Sequence, residues 1–282
     1  MLATLVIFLR EGVEASMIIA ILLAYLNRSG QRQYFREVFA GVAAALLLAG
    51  AGGVVAYETI RAYDGSRAQT IFETGTYLLA AGVLTYMTFW MRSHARGMSS
   101  DLRARADAAI SRGARTGLAL LAFQAVGREG LETVVFTLAI AFSTTQRSAV
   151  LGAVIGLAIA LAIAFVTYRL GHRLNLGRFF TIVGALLMVF AAGLLVDAVQ
   201  NLQQLGWLPL ATHPLWHTGN ILNEDTAVGD LAHSFFGYAQ SPTVLQACVY
   251  VLYLAAVLVA FFNLRRRLFG VRAGRSAGES AT

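Results

Sequence analysis

Apolar residues fall along this chain in long runs, broken by short polar stretches. A helix that crosses the hydrocarbon core of a bilayer needs about 20 mostly apolar residues. Seven runs meet that length, at 2–26, 38–60, 68–91, 116–142, 149–171, 179–199 and 243–264. The pattern predicts an all-α fold: a polytopic membrane protein of seven transmembrane helices in one transmembrane domain over 1–272. The longest connection on one side, 92–115, predicts a short surface helix, with Ser100 and Asp101 as N-caps before Leu102, Ala106 and Ile110. The segment 200–242 has no basic residue but holds Trp207, Pro209, Pro214 and Trp216, and its tryptophans suit a membrane interface. The last residues, 273–282, are rich in Gly, Ser and Ala and predict a flexible tail.

Composition agrees with a lipid-facing surface. Only 13% of the 282 residues are charged, where a soluble domain carries about 25%. The net charge of +7 comes from arginine alone, for there is no lysine. Of the 22 arginines, 17 fall in the loops after spans 1, 3 and 5 and in the segment after span 7. Arg61, Arg67 and Arg147 are the 3 on the other side. The positive-inside rule then predicts an external N-terminus, an external 200–242 segment and a cytoplasmic C-terminus. The basic balance is thus a topology signal and not a nucleic-acid footprint. The first arginine lies inside an apolar run with no basic stretch before it, so residues 1–26 do not read as a signal peptide. The single cysteine, Cys248, makes no intramolecular disulfide and is expected to be a small buried residue.

The chain also repeats. At an offset of 111, Gly41 matches Gly152, Tyr57 matches Tyr168, Thr70-Ile71 matches Thr181-Ile182, and Ala80-Ala81-Gly82 matches Ala191-Ala192-Gly193. Residues of about 1–91 are therefore expected to recur in about 116–199. Three spans per copy is an odd number, so the copies run oppositely through the bilayer. Such inverted repeats place a substrate site near mid-membrane at their interface.

Span 1 contains Arg10-Glu11-Gly12-Val13-Glu14, and span 4 contains Arg128-Glu129-Gly130-Leu131-Glu132. Both copies lie well inside apolar runs. An Arg or Asp at a helix centre costs roughly 2.5–3.5 kcal/mol to insert, so six ionised groups facing lipid would cost on the order of 15–20 kcal/mol. These groups must face each other, water or a ligand. At about 100° per residue, Arg10, Glu14 and Glu11 share one arc, with Gly12 on the far side where another helix can pack closely. Ile7 and Ile18 bound the first polar patch, and Ala125 and Phe136 bound the second. Four carboxylates and two guanidiniums leave a formal charge of −2, which suits a hard cation with oxygen ligands. The competing structural reading is two intrahelical Arg–Glu pairs that tie the spans together, which leaves two glutamates unpaired.

This doubled motif in the first and fourth spans resembles the oxidase-dependent iron transporter family, which includes the fungal high-affinity iron permeases and the bacterial EfeU branch. Phe72-Glu73, the run Leu84-Thr85-Tyr86-Met87-Thr88-Phe89-Trp90-Met91 and Phe236-Gly237-Tyr238 also fit. The longer acidic external segments of fungal members are not evident, so the resemblance is closest to the bacterial branch. It implies a high-affinity permease that imports iron ions across the cytoplasmic (inner) membrane. Glu11, Glu14, Glu129 and Glu132 are then the metal-handling groups, Arg10 and Arg128 organise them, and Glu73 is a further candidate. No permanently bound cofactor is expected. The same branch implies a periplasmic cupredoxin-type iron-binding protein and a haem peroxidase as partners, beside iron and the bilayer.

Other candidates lie toward the outer side. Glu73 could relay a cation, or anchor Arg61 or Arg67. Asp197 and Gln200 end span 6. His213, His217 and His233, with Glu224, Asp225 and Asp230, could capture metal or form a solvated loop. Met17, Met87, Met91 and Met188 read as packing residues. Oxygen ligands do not by themselves choose iron, so a carrier of manganese or another divalent metal is the alternative function. A membrane-embedded carboxylate metal enzyme fits less well, because di-iron bundles use Glu-x-x-His and no histidine lies in a span. A scaffold or sensor with a structural charge cluster is the third class.

Overall fold

The structure is a computed structural model that describes residues 1–94, 97–111, 114–143, 145–170, 176–218 and 226–279. Its helices are α1 (Leu2–Arg28), α2 (Phe35–Arg61), α3 (Arg67–His94), α4 (Met98–Ser111), α5 (Ala114–Ser143), α6 (Gln146–Leu170), α7 (Leu176–Gln204), α8 (Ala227–Phe236) and α9 (Val244–Glu279), with one 3₁₀ turn at Arg32–Tyr34. Seven of them are 25 to 36 residues long. At 1.5 Å per residue each exceeds the roughly 30 Å hydrocarbon thickness. Among the described residues, four stretches are long and apolar enough to cross a membrane on length and composition alone: Arg32–Arg61, Gln146–Val166, Gly177–Gln204 and Val244–Phe261. α1 and α5 have similar length but carry the charged motifs, and α3 is diluted by threonine and tyrosine. These apolar helices belong to an all-α, multi-pass membrane protein.

Three helix pairs build the body: α1 on α6, α2 on α5 and α3 on α7, with α9 against the outside of α7. Close approach at glycine fixes the first two pairs. A Cβ on Gly41 of α2 would lie 2.1 Å from the Ala119 carbonyl oxygen of α5, and one on Gly152 of α6 would lie 2.3 Å from the Met1 carbonyl oxygen beside α1. Further along, a Cβ on Gly12 would meet Ala160 at 2.7 Å, and one on Gly130 would meet Ala49 at 2.9 Å. The far-side glycine of each charged motif is therefore where a neighbouring helix seats, as the helical arc requires. Gly41→Val is accordingly expected to force α2 off α5. The cost is about 1–3 kcal/mol of overpacking, read as a lower melting temperature of the purified protein, whereas Gly50→Val, at an open position, leaves it unchanged.

The bundle ends are finished differently. At one end α4 lies against α1 and α5, with Leu102 and Ala106 buried beside Leu22, Leu26, Val38 and Leu118. The Tyr25 hydroxyl bonds the Asp107 carboxylate there. The expected surface helix is present, but it begins at Met98, so Ser100 and Asp101 occupy its first turn and do not cap it. The Ser100 hydroxyl donates to the Gly97 carbonyl instead. At the other end the 200–242 segment holds a helix that the sequence pattern did not predict, α8. Thr226 caps it by accepting from the Gly229 amide at 3.1 Å. Gly237 stops it in the left-handed region at φ 64°, where a side chain would be strained. Gly237 also rests on Gly193 of α7, where a Cβ would come within 2.5 Å. The chain before α8 returns along α9's start, with Leu215 N–H donating to Pro242 at 2.9 Å and Thr218 N–H to Gln240 at 2.9 Å.

Two further expectations meet the structure here. Cys248 is exposed, not buried: α9 packs along one face only, and the cysteine lies on the other, which also exposes Val251, Leu252, Leu258 and Val259. α9 continues as helix to Glu279, into the stretch read as a tail, while 280–282 lie outside the described residues.

Candidate metal site

The two charged motifs face each other across the middle of the bundle. α1 presents Arg10, Glu11 and Glu14, all buried, and α5 presents Arg128, Glu129 and Glu132. The i,i+4 spacing closes the same bond in each: Arg10 Nε donates to Glu14 Oε1 at 3.0 Å, and Arg128 Nε donates to Glu132 Oε1 at 3.0 Å. Each arginine also sits near the intervening glutamate, at 3.5 Å for Arg10–Glu11 and 4.0 Å for Arg128–Glu129. What remains is a surplus of carboxylate oxygen. One ligand oxygen each from Glu11, Glu14 and Glu129 lies within 4.8 Å of the others. Both oxygens of Glu11, and one each of Glu129 and Glu132, are buried without a hydrogen-bond partner. Buried polar atoms are normally satisfied. A cluster in which carboxylate oxygens outnumber the hydrogen bonds they receive, even with Arg10 beside them, suits a cation. Oxygen-only donors suit a divalent metal treated as substrate.

The halves of the site are not equivalent. The Arg10 side chain is 3% exposed, and the Arg128 side chain is 42% exposed. Arg128 reaches across to α3, where its Nη2 donates to Met87 Sδ at 2.8 Å and its guanidinium carbon lies 4.7 Å from the centre of the Trp90 ring. Both partners belong to a run quoted above, yet Met87 read only as packing. Nothing in the sequence sets the register of α3 against α5, so neither contact was legible.

Access also differs on the two sides of the carboxylates. Toward α4, a cavity of about 220 Å³ reaches Glu14, Glu129 and Arg128, with Ile18, Trp90, Gln124 and Ala125 among its walls. Toward α8, Ile7 and Phe136 are fully buried in one apolar cluster with Tyr77, Leu84 and Ile140. The apolar stops expected around each motif are thus all present. The pair on the α8 side is packed shut, and the pair on the α4 side lines a cavity.

Beyond the closed layer lies a larger cavity of about 650 Å³, lined by Glu73, Tyr77, Asp197, Gln200 and His233 with several amide side chains. Three separate candidates, Glu73, Asp197 and His233, therefore share one chamber. Glu73 accepts from Gln69 Nε2 at 2.8 Å, and Arg67 donates instead to the Leu205 carbonyl, so Arg67 is not Glu73's anchor. His233 Nε2 lies 3.9 Å from Asp197 Oδ1. His217 is exposed and pairs at 2.7 Å with Ser241, which lines the chamber's rim, but His217 is not itself part of the lining. His213 is also exposed, and Glu224 and Asp225 lie outside the described residues.

Fold and site together define a multi-pass helical membrane protein with a buried carboxylate cluster suited to a cation. The model of the iron permease FTR1 family matches residues 1–272. Ferrous iron permease EfeU of Shigella sonnei (strain Ss046) is 34% identical over 283 residues, covering 100% of both chains. EfeU of Escherichia coli O157:H7 gives the same figures. EfeU of Yersinia pestis is 33% identical over 264 residues, covering 93% of each chain. No solved structure matches. The chain belongs to the iron permease FTR1 family, so it is a transporter of iron and not an enzyme.

Proposed function

We propose that the protein imports ferrous iron across the cytoplasmic membrane through a mid-membrane site of Glu11, Glu14, Glu129 and Glu132, organised by Arg10 and Arg128. The convergence of ligand oxygens from both motifs within 4.8 Å carries this reading, and the relatives are described as ferrous iron permeases. Seven spans, α1, α2, α3, α5, α6, α7 and α9, form two inverted three-helix repeats plus one added helix. The paired contacts support the repeat. Gly41 on Ala119 and Gly152 on Met1, or Gly12 on Ala160 and Gly130 on Ala49, become one another when α1 is exchanged with α5 and α2 with α6. The shifts are 118 residues for α1 to α5 and 111 for α2 to α6.

The arginine asymmetry supports an external N-terminus and a cytoplasmic C-terminus. The α8 end is then outside. Iron enters the chamber of Glu73, Asp197 and His233, crosses the Ile7–Phe136 layer when it opens, binds the four-glutamate site and leaves past Gln124. In this reading the packed Ile7–Phe136 layer is the outer gate and the α4-side cavity lies on the exit route. The outer partners in this scheme are a periplasmic cupredoxin-type iron-binding protein and a haem peroxidase.

Uptake into proteoliposomes tests the substrate: Fe(II) held reduced under anaerobic conditions should accumulate, and Fe(III) should not. Uptake of Fe(III) alone overturns the ferrous assignment, and accumulation of Mn(II) with no Fe(II) uptake overturns iron itself. Cysteine labelling tests the orientation. With Cys248→Ser as background, cysteines placed at 213–217 should react with an impermeant thiol reagent from outside, and cysteines at 100–108 should react only after permeabilisation. The reverse pattern would remove the import direction.

A further inference from the structure

The two arginines of the site make the same first bond and then differ. Arg10 keeps its far nitrogens among the glutamates: Nη1 lies 3.5 Å from Glu11, and neither Nη1 nor Nη2 has a hydrogen-bond partner. The far side of Arg128 is taken up by α3, through Met87 Sδ at 2.8 Å and the Trp90 face at 4.7 Å. Met87 is buried, so its sulfur is a dry acceptor that water does not compete for. A thioether is a weak acceptor, but a cation over an indole ring adds an attraction that strengthens with desolvation. Together they hold the guanidinium on the α3 side while its Nε stays on Glu132. At the repeat offset of 111, the α7 residues matching Met87 and Trp90 are Ala198 and Asn201. Neither can supply a sulfur or a ring, so this device exists in one half of the protein only.

We propose that Met87 and Trp90 are positioning residues for Arg128: they draw its guanidinium off Glu129, which leaves that carboxylate free to join Glu11 and Glu14 at the point where the oxygens of the cation site converge. Glu129 is the ligand that the second motif adds to the first. If Arg128 swung inward it would neutralise Glu129, as Arg10 partly neutralises Glu11, and the cation would lose the α5 oxygen that lies with those of Glu11 and Glu14. The latch also stands on the wall of the inner cavity, which Trp90, Arg128 and Glu129 line together. Iron leaving the site passes an arginine whose position is fixed by α3.

This inference rests on the carboxylate-site reading, and the test separates the two. Equilibrium binding of Fe(II) to the full-length protein in nanodiscs, under anaerobic conditions, is the measurement. Met87→Leu keeps the shape and removes the acceptor, and it should weaken binding about tenfold. Trp90→Leu should do the same, while Trp90→Phe, which keeps a π face, should restore most of the affinity. In an Arg128→Gln background Met87→Leu should have no further effect. An equal loss in both backgrounds means that Met87 only packs, and no loss in the parent means that there is no latch; either overturns the proposal. Where Arg128→Gln binds too weakly to titrate, Trp90 emission carries the comparison in a Trp207→Phe, Trp216→Phe protein. Met87→Leu should shift it with Arg128 present and not with Arg128→Gln, and equal shifts overturn the latch. Glu129→Gln is the control on the reading beneath. If it binds Fe(II) normally the carboxylate site itself fails, whereas a failed latch with Glu129→Gln inactive leaves that site standing.

Discussion

Glu129→Gln is expected to abolish iron uptake in proteoliposomes while leaving the protein as stable as its parent, or more so. Glutamine fills the same volume but removes the charge that a divalent ion needs. Glu129 supplies the oxygen from α5 that lies within 4.8 Å of those of Glu11 and Glu14, so its loss opens one side of the site. Changes one shell further out commonly cost 10–100-fold in metal affinity, and a lost ligand should cost at least about 100-fold. Stability should move the other way. In the absence of metal, three buried carboxylates crowd one point, and neutralising one relieves both repulsion and desolvation. Glu132→Gln should be milder, near tenfold, on the same scale, because Glu132 spends one oxygen on Arg128 at 3.0 Å. Uptake rates and melting temperatures measured on one preparation check both directions. Undiminished uptake by Glu129→Gln would mean that the convergence of the motifs is structural only.

Much of this architecture could be read from hydropathy, because in lipid a helix must satisfy its own backbone and be long enough to cross. The runs at 38–60 and 179–199 lie inside α2 and α7, and 116–142 lies inside α5. The charged motifs were legible for the opposite reason: ionised groups so deep in apolar runs have no cheap explanation but a site. What escaped was local or relational. α8 is ten residues long, too short to give a periodic signal among the prolines and tryptophans around it. Thr226 and Gly237 were the cues for its two ends. Cys248 read as buried because composition does not say which face of an outer helix meets its neighbour. Met87 and Trp90 needed the register between α3 and α5, and Glu73, Asp197 and His233 needed the arrangement of three separate elements around one chamber. Spacing within a helix is written in one segment of sequence, but spacing between helices is not.

Arg10→Leu is expected to cost the protein its folded state, and Arg128→Leu is not. The structure separates two arginines that the sequence presents as twins. Arg10 is 3% exposed and lies between Glu11 and Glu14. Removing it leaves buried carboxylates with no counter-charge, and breaking a buried pair in this way costs about 3–5 kcal/mol, a large share of the roughly 5–15 kcal/mol that holds a typical protein together. The Arg128 side chain is 42% exposed and lines the cavity toward α4, where water can solvate what its loss uncovers. The readout is the folded, monodisperse fraction after extraction into mild detergent, with the melting temperature of what survives. Arg10→Lys should fold but transport poorly, since an ammonium is a point charge and cannot bridge two carboxylates as a planar fork does. Arg10→Leu combined with Glu14→Gln should regain part of the folded fraction without regaining uptake, because the second change removes the charge that the first left stranded. Arg10→Leu that is as stable as the parent would show that the glutamates of α1 do not depend on Arg10 as their buried counter-charge.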